Sequence, residues 1–175
     1  MMNYKYYEKK LNDVITKSRI ETGIEIIAFN VLDEIITNYG LTLCAIDSIT
    51  SDNEPRLNTE GGFSDLAVVS NDFEYGNVTN SDKAYGFIEV KAPYTKISSN
   101  DPQFIGQGND ISKKHSHIYK NLYTNGLVWI YRGNNSEKWE INLTKSKMTS
   151  SGSTKVEILK NEFLDLLTKL RAIKW

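Results

Sequence analysis

Asp65, Glu89 and Lys91 are the residues whose types and spacing can do chemistry in this chain. Asp65 opens the apolar run Leu66-Ala67-Val68-Val69. Glu89 and Lys91 lie inside a later one, Gly86-Phe87-Ile88-Glu89-Val90-Lys91-Ala92-Pro93. Side chains of a strand alternate between its two faces, so Glu89 and Lys91 share a side while Ile88, Val90 and Ala92 take the other. If the two runs are neighbouring strands, two carboxylates and an ammonium converge at one edge of a sheet. That grouping suits a divalent cation and a water deprotonated to attack a phosphodiester. Such hydrolysis needs charge neutralised on the phosphate and a nucleophile formed near neutral pH. Mg²⁺ on one or two carboxylates supplies both, and Mn²⁺ is expected to substitute. Asp65 and Glu89 are the expected ligands, with the backbone carbonyl of Val90 as a further one. Lys91 is expected to orient or deprotonate the water, or to stabilise the transition state. A lowered pKa in a partly buried site would suit the base role. The plainer alternative is an ordinary strand with a solvated Glu/Lys pair. Each feature is common alone, but their combination after the Gly61-Gly62 bend favours the metal site.

The elements that must position these residues follow from periodicity. Residues 4–17 read as a helical arm, with Tyr7, Leu11, Val14 and Ile15 on its apolar face. Residues 20–38 read as a longer helix in which Ile24, Ile27, Ala28, Val31, Leu32, Ile35 and Ile36 recur with the helical period, ended by Gly40. Strands are expected at 41–49, 64–70 and 84–92, with turn-rich chain at 52–62. Asp101-Pro102 fits a helix start, and that helix runs to about residue 114, weakened at Gly106 and Gly108 by about 1 kcal/mol each. Asn125-Gly126 between the apolar runs at 118–124 and 127–131 is a hairpin signal. A strand at 139–143 and an amphipathic helix at 156–173 complete the chain, the latter with Ile158, Phe163, Leu164, Leu166, Leu167 and Leu170 as apolar positions. The order αα-β-β-β-α-β-β-β-α predicts an α/β fold, a central mixed sheet flanked by helices.

With 175 residues the chain is most simply one domain, comprising an arm at 1–18, a core at 20–143 and a closing helix at 156–173. Lys plus Arg number 21 against 22 Asp plus Glu, which excludes a strongly basic nucleic-acid coat but not a local basic face. Cys44 is the only cysteine, so no intrachain disulfide is possible, and it reads as a small core residue. No apolar run approaches the ~20 residues of a membrane span, and Met1-Met2-Asn3-Tyr4-Lys5 lacks the apolar stretch of a signal peptide. A soluble, cytoplasmic protein is expected. No Gly-Lys-Ser/Thr loop is present to cradle a nucleotide phosphate.

Ser64-Asp65 followed by Ile88-Glu89-Val90-Lys91-Ala92-Pro93 resembles the core of the PD-(D/E)xK nuclease superfamily, with Ser64 in place of the usual Pro. More specifically, the chain resembles the nuclease domain of type I restriction motor subunits and of fused restriction–modification enzymes. The matching pieces are Glu21-Thr22, Ile26-Ile27, Val31-Leu32 and Gly40 in the early helix, Gln107 in the later one, and Thr124-Asn125-Gly126-Leu127-Val128-Trp129 at the hairpin. The likeness covers about residues 20–132. It implies a restriction-endonuclease-like fold and Mg²⁺-dependent cleavage of DNA in a restriction or phage-defence setting. It implies that an acid of the early helix joins the metal site. Glu21 matches best, with Glu25 one turn on as the alternative. It implies that Gln107, or Gln103 one turn earlier, positions the nucleophile or touches the DNA backbone. A solvated helix face accounts equally well for all four residues.

Lys113, Lys114, His115, His117 and Lys120 form the densest positive cluster. They suit phosphate contacts, though a solvated helix end explains them as well. No partners at ligand spacing support zinc at the two His. Tyr119, Tyr123, Trp129 and Tyr131 suit base stacking, but their alternation on a hairpin points to packing. DNA is the expected partner. No motor, methyltransferase or target-recognition part is recognisable, so such a partner, or self-association placing two sites on two strands, is expected to supply targeting. The contrasting function is a non-cleaving nucleic-acid- or protein-binding module on the same scaffold.

Overall fold

The computed structural model describes residues 2–46, 54, 56–58, 64–77, 84–114, 120–133, 137–146 and 155–175; the side chains of 107 and 110–114 lie outside that description. Its elements are α1 (Tyr4–Lys17), α2 (Glu21–Thr37), β1 (Leu41–Ala45), β2 (Leu66–Ser70), β3 (Ala84–Val90), α3 (Pro102–Lys114), β4 (Asn121–Thr124), β5 (Val128–Arg132), β6 (Lys138–Asn142) and α4 (Lys160–Ala172). One six-stranded sheet runs β1-β2-β3-β4-β5-β6. Every neighbouring pair is antiparallel except β3 and β4, which are parallel. A parallel pair cannot be joined by a tight turn, and α3 forms the crossover it needs. The order and class match the sequence expectation of an α/β fold with a central mixed sheet flanked by helices.

Strand parity divides the sheet into two faces. Leu66, Val68, Ile88, Val90, Leu122 and Trp129 share one cluster with Tyr7, Leu11 and Ile15 of α1, the apolar stripe of α2, and Phe163, Leu166 and Leu170 of α4. Each fully buried aliphatic side chain there is worth about 1.5–3 kcal/mol. The opposite face carries Ala67, Val69, Ala84 and Phe87 packed with Ile46 and Leu57. Beside them Ile97, Phe104, Tyr123 and Ile130 form a further cluster under α3. Glu89 belongs to this second face, between Phe87 on its own strand and Tyr123 across the ladder.

Several expectations are corrected. The closing helix starts at Lys160, not at 156. The preceding residues are captured by α1: Asn12 exchanges two hydrogen bonds with Val156, at 2.8 and 2.9 Å, and the Ile158 N–H donates to Glu8 at 2.6 Å. Leu164 is 49% exposed rather than buried, because α4 packs through the stripe of Phe163, Leu166, Leu167 and Leu170. Cys44 is only half-buried, against the edge of the second-face cluster. The first strand ends at Ala45, and residues 47–49 of its expected span lie outside the described residues, as does most of the 52–62 turn region. Within that region Glu54 is wholly buried. It takes both Arg56 Nε and Nη2 at 2.6 Å and the Gly76 N–H at 2.8 Å. No sequence pattern signals that pair.

Candidate active site

The β2–β3 register brings the acids together. Leu66 pairs with Ile88 and Ala67 with Phe87, so one step outward Asp65 stands opposite Glu89, on the same face. Phe87 and Lys91 donate their N–H groups to the carbonyls of Lys120 and Thr124, at 2.9 and 2.8 Å. The N–H of Val90, of opposite parity, therefore points toward β2. Asp65 Oδ2 accepts it at 2.5 Å, in place of a backbone carbonyl. The carbonyl of Asp65 accepts from Ile46 N–H at 2.8 Å, so the residue is fixed from both neighbouring segments.

Lys91 Nζ donates to Glu89 Oε1 at 2.5 Å and lies 4.0 Å from Glu21 Oε1, at the first turn of α2. Glu89 is 6% exposed, and its Oε2 is buried with no hydrogen-bond partner among the described residues. A buried carboxylate oxygen without a partner costs several kcal/mol, which a bound cation would recover. Burial first, and then the charge of Glu89, push the Asp65 carboxyl from 3.8 up to about 7, against the pull of Val90 N–H and Lys91. Burial acts to lower Lys91, but the hydrogen bond to Glu89 and the charges of Glu89, Glu21 and Asp65 outweigh it, so its pKa is raised. Without a metal, Lys91 is thus held as a cation beside Glu89.

Asp65, Glu89 and Lys91 are therefore adjacent, and Glu21 reaches them through Lys91. Among the described residues no group of three or more His, Cys, Asp or Glu side chains is arranged to hold a metal ion. The donor set on view is the Asp65–Glu89 pair. Glu25 lies beside Ile26, Phe29, Asn30 and Ala45 in a shallow groove along α2. Gln107 is in α3 with its side chain outside the description; Gln103 is exposed, its N–H taken by Asp101 Oδ1 at 2.9 Å. The side chains of Lys113 and Lys114 are likewise outside it, and His115, His117 and Tyr119 lie outside the described residues altogether. Lys120 sits over the Tyr85 ring at 5.9 Å, against Gly86. It is thus about three residues, roughly 10 Å, from Glu89 along β3. Burial lowers its pKa.

The aromatic residues of the hairpin are packing groups. Tyr123, Trp129 and Tyr131 are 1%, 0% and 2% exposed, which removes them from base stacking. Tyr123 stacks on Phe104 at 5.0 Å, and burial together with Asp101, Glu89 and Glu21 keeps its phenol protonated. The Thr-Asn-Gly turn is a junction. Asn125 Oδ1 accepts from the N–H groups of Leu127 and Val128 at 3.0 and 2.8 Å. Its Nδ2 donates to the carbonyl of Thr95 at 2.7 Å, tying the turn to the loop that leaves Lys91. Gly126 has φ +81°, and its carbonyl accepts from Tyr7 Oη at 2.6 Å. Trp129 Nε1 donates to the same hydroxyl at 3.1 Å. The motif thus fixes β4, α1 and the post-β3 loop relative to one another.

No family model and no curated protein matches the chain. Among solved structures it is similar to a chain of a DrdV–DNA complex determined by electron cryomicroscopy, with 14% identity and a TM-score of 0.52 over 97% of this chain and 95% of that one. No helix among the described residues is long and apolar enough to cross a membrane. At that identity the likeness is one of fold, and it spans both the sheet carrying the Asp65–Glu89 pair and the helices around it.

Proposed function

We propose that the chain is a metal-dependent endonuclease that hydrolyses phosphodiester bonds of DNA at Asp65, Glu89 and Lys91. The observation that carries this reading is the buried, partnerless Oε2 of Glu89 beside an Asp65 whose carboxyl is destabilised as an anion. Two carboxylates short of positive charge fit a divalent cation. Asp65, Glu89 and the Val90 carbonyl are the residues that would hold Mg²⁺ or Mn²⁺. Once bound, the ion would neutralise phosphate charge and acidify a coordinated water. Lys91, charged and held between Glu89 and Glu21, presents a cation to the phosphate or the attacking water. Glu21 acts by orienting Lys91, and Gln107 is assigned the positioning of substrate. Lys113, Lys114 and Lys120 are assigned backbone contacts away from the reacting atoms. DNA as the substrate is supported by the fold shared with a chain bound to DNA and by the sequence resemblance.

Cleavage is expected to show little sequence preference, because direct readout needs side chains fitted to base edges in a groove and no reader element is recognisable. The test is nicking of unrelated supercoiled plasmids by the purified chain with Mg²⁺, with EDTA, and with Glu89→Gln. Metal-dependent nicking lost in the variant supports the proposal. Binding of DNA without nicking under any divalent metal would leave a non-cleaving module instead, and discrete fragments at one short site would show that the chain reads sequence itself.

A further inference from the structure

Beyond the end of β3 lies a cavity to which none of the catalytic groups assigned above belongs. Its volume is about 540 Å³, and it is enclosed by the loop 93–98, the 125–128 turn and the segment 142–146. Hydrogen bonds tie these walls together. Asn125 Nδ2 donates to the Thr95 carbonyl at 2.7 Å, and Leu143 N–H donates to the Leu127 carbonyl at 2.8 Å. The cavity is therefore pre-formed, as small-molecule sites usually are. Ile97, Leu127 and Val128 give it an apolar lining, while Tyr94, Lys96 and Asn142 stand exposed around it. Ile97 also packs in the cluster of Tyr123, the residue across the ladder from Glu89. The cavity and the acid pair thus share one face and one end of the sheet. Thr95 N–H donates to the Ala92 carbonyl at 2.9 Å, which turns the chain as soon as Lys91 is passed. Tyr94 follows Lys91 by three residues, a reach of at most about 10 Å.

The lining decides what fits. A paired duplex turns charged phosphates and sugars outward, and these gain nothing from an apolar floor. The part of a nucleic acid that does gain is a base outside the stack, which buries its faces and keeps its edges hydrogen-bonded. The apolar lining suits the faces, and the Asn142 amide offers both a donor and an acceptor to the edges. Tyr94 is 41% exposed, unlike the buried tyrosines of the hairpin, and is thus available for stacking. The Arg19 guanidinium, 5.4 Å from the ring centroid, braces that ring. Among the described residues of the lining Lys96 is the charged one and none is an acid, so the mouth suits the phosphate that accompanies a base.

We propose that this cavity takes one unpaired nucleotide of the strand held at Lys91, so that the chain acts preferentially where a base already lies outside the stack. The proposal rests on the nuclease reading above and adds a substrate class to it. The experiment measures binding, in Ca²⁺, of a labelled duplex and of the same duplex carrying one unpaired nucleotide. Wild type is compared with Tyr94→Leu and Ser146→Trp, with melting temperatures alongside. Ser146 is an exposed residue of the lining, so a Trp there fills the cavity from the solvent side. Wild type is expected to bind the duplex with the unpaired nucleotide about tenfold more tightly, the size of one base–aromatic stack. Tyr94→Leu should lose most of that preference, and Ser146→Trp all of it. Equal affinity of wild type for the two duplexes would overturn the proposal and leave the cavity to an apolar side chain of a partner protein. A preference kept in full by Tyr94→Leu, or by a folded Ser146→Trp, would overturn it as well and assign the preference to the flexibility of the DNA. Nicking of a fully paired plasmid in Mg²⁺ is measured separately. Nicking without the preference sinks the cavity assignment alone, the preference without nicking under any divalent metal sinks the nuclease reading alone, and no binding of either duplex sinks both.

Discussion

Asp65→Asn should stabilise the metal-free protein, and the size of the effect should depend on pH in a stated way. The carboxyl of Asp65 is pushed from 3.8 to about 7 by burial and by the charge of Glu89. Its folded-state pKa is therefore raised, so between about pH 4 and pH 7 the folded chain holds a proton that the unfolded chain has released. Stability associated with this group is complete below pH 4 and is lost as pH rises through 7. At about 1.4 kcal/mol per pKa unit the interval has a ceiling of about 4 kcal/mol. Asp65 is only partly buried and shares its field with Glu89, so about half of that, ~2 kcal/mol, is expected at pH 8. Asparagine keeps the shape and the acceptor for Val90 N–H but cannot ionise. For a chain of this length ~2 kcal/mol is about 4–8 °C in melting temperature. Thermal unfolding in EDTA should show Asp65→Asn above wild type at pH 8 and level with it near pH 4. Excess Mg²⁺ should then raise wild type by about 2.7 kcal/mol at a hundred times its dissociation constant and leave the variant nearly unmoved. Equal stability at pH 8, or the same advantage at both pH values, would refute the electrostatic account of this site.

Glu89→Gln and Lys91→Ala should each lower the rate of plasmid nicking by at least about 10²-fold with the fold retained by circular dichroism, because each removes a charge at the reacting phosphate. Glu21→Gln should cost about tenfold in rate and Glu25→Gln less, since Glu21 lies 4.0 Å from Lys91; the reverse ranking in the same nicking assay would transfer the role to Glu25. Gly126→Ala should destabilise the chain by about 3 kcal/mol in denaturant unfolding. It would force a side chain into φ +81° and set a methyl 3.0 Å from Leu11 and 3.1 Å from Ile24.

The parts of the fold that were legible in the sequence are those where one periodicity dominates. The α2 stripe of Ile24, Ile27, Ala28, Val31, Leu32, Ile35 and Ile36 is buried throughout, as a 3.6-residue repeat requires. The parity of Glu89 and Lys91 was equally legible, because alternation along a strand needs no partner. Their meeting with Asp65 was not contained in parity alone. It needed the antiparallel register of β2 on β3, which only the neighbouring strand supplies. Where side chains from distant elements compete for backbone groups, periodicity misleads. Ile158 has the pattern of a helical residue, yet its N–H is taken by Glu8, 150 positions away, and α4 starts later. Lys91 combines both kinds of signal: its pKa is raised first by Glu89, its same-face neighbour on the strand, and then by Glu21, whose approach depends on how α2 enters the fold.

Thr124-Asn125-Gly126 shows why a motif beyond the acids and the lysine accompanies them. None of its residues contributes a charge. Asn125 fastens the β4–β5 turn to the loop after Lys91, and Gly126 receives Tyr7 from α1. The parallel β3–β4 pair sets Glu89 beside Tyr123, one residue before this turn. The end of β3 is thereby held on one side by Asp65, which accepts Val90 N–H, and on the other by β4, whose Thr124 carbonyl accepts Lys91 N–H. Two like charges kept opposite each other across a sheet repel, and the strands would part there if the backbone were held only by a loop. The turn motif and the Asp65 hydrogen bond supply the rigidity that lets two acids stand opposite each other with Lys91 beside Glu89. The metal-dependent reading proposed above has this requirement, and a solvated Glu/Lys pair does not.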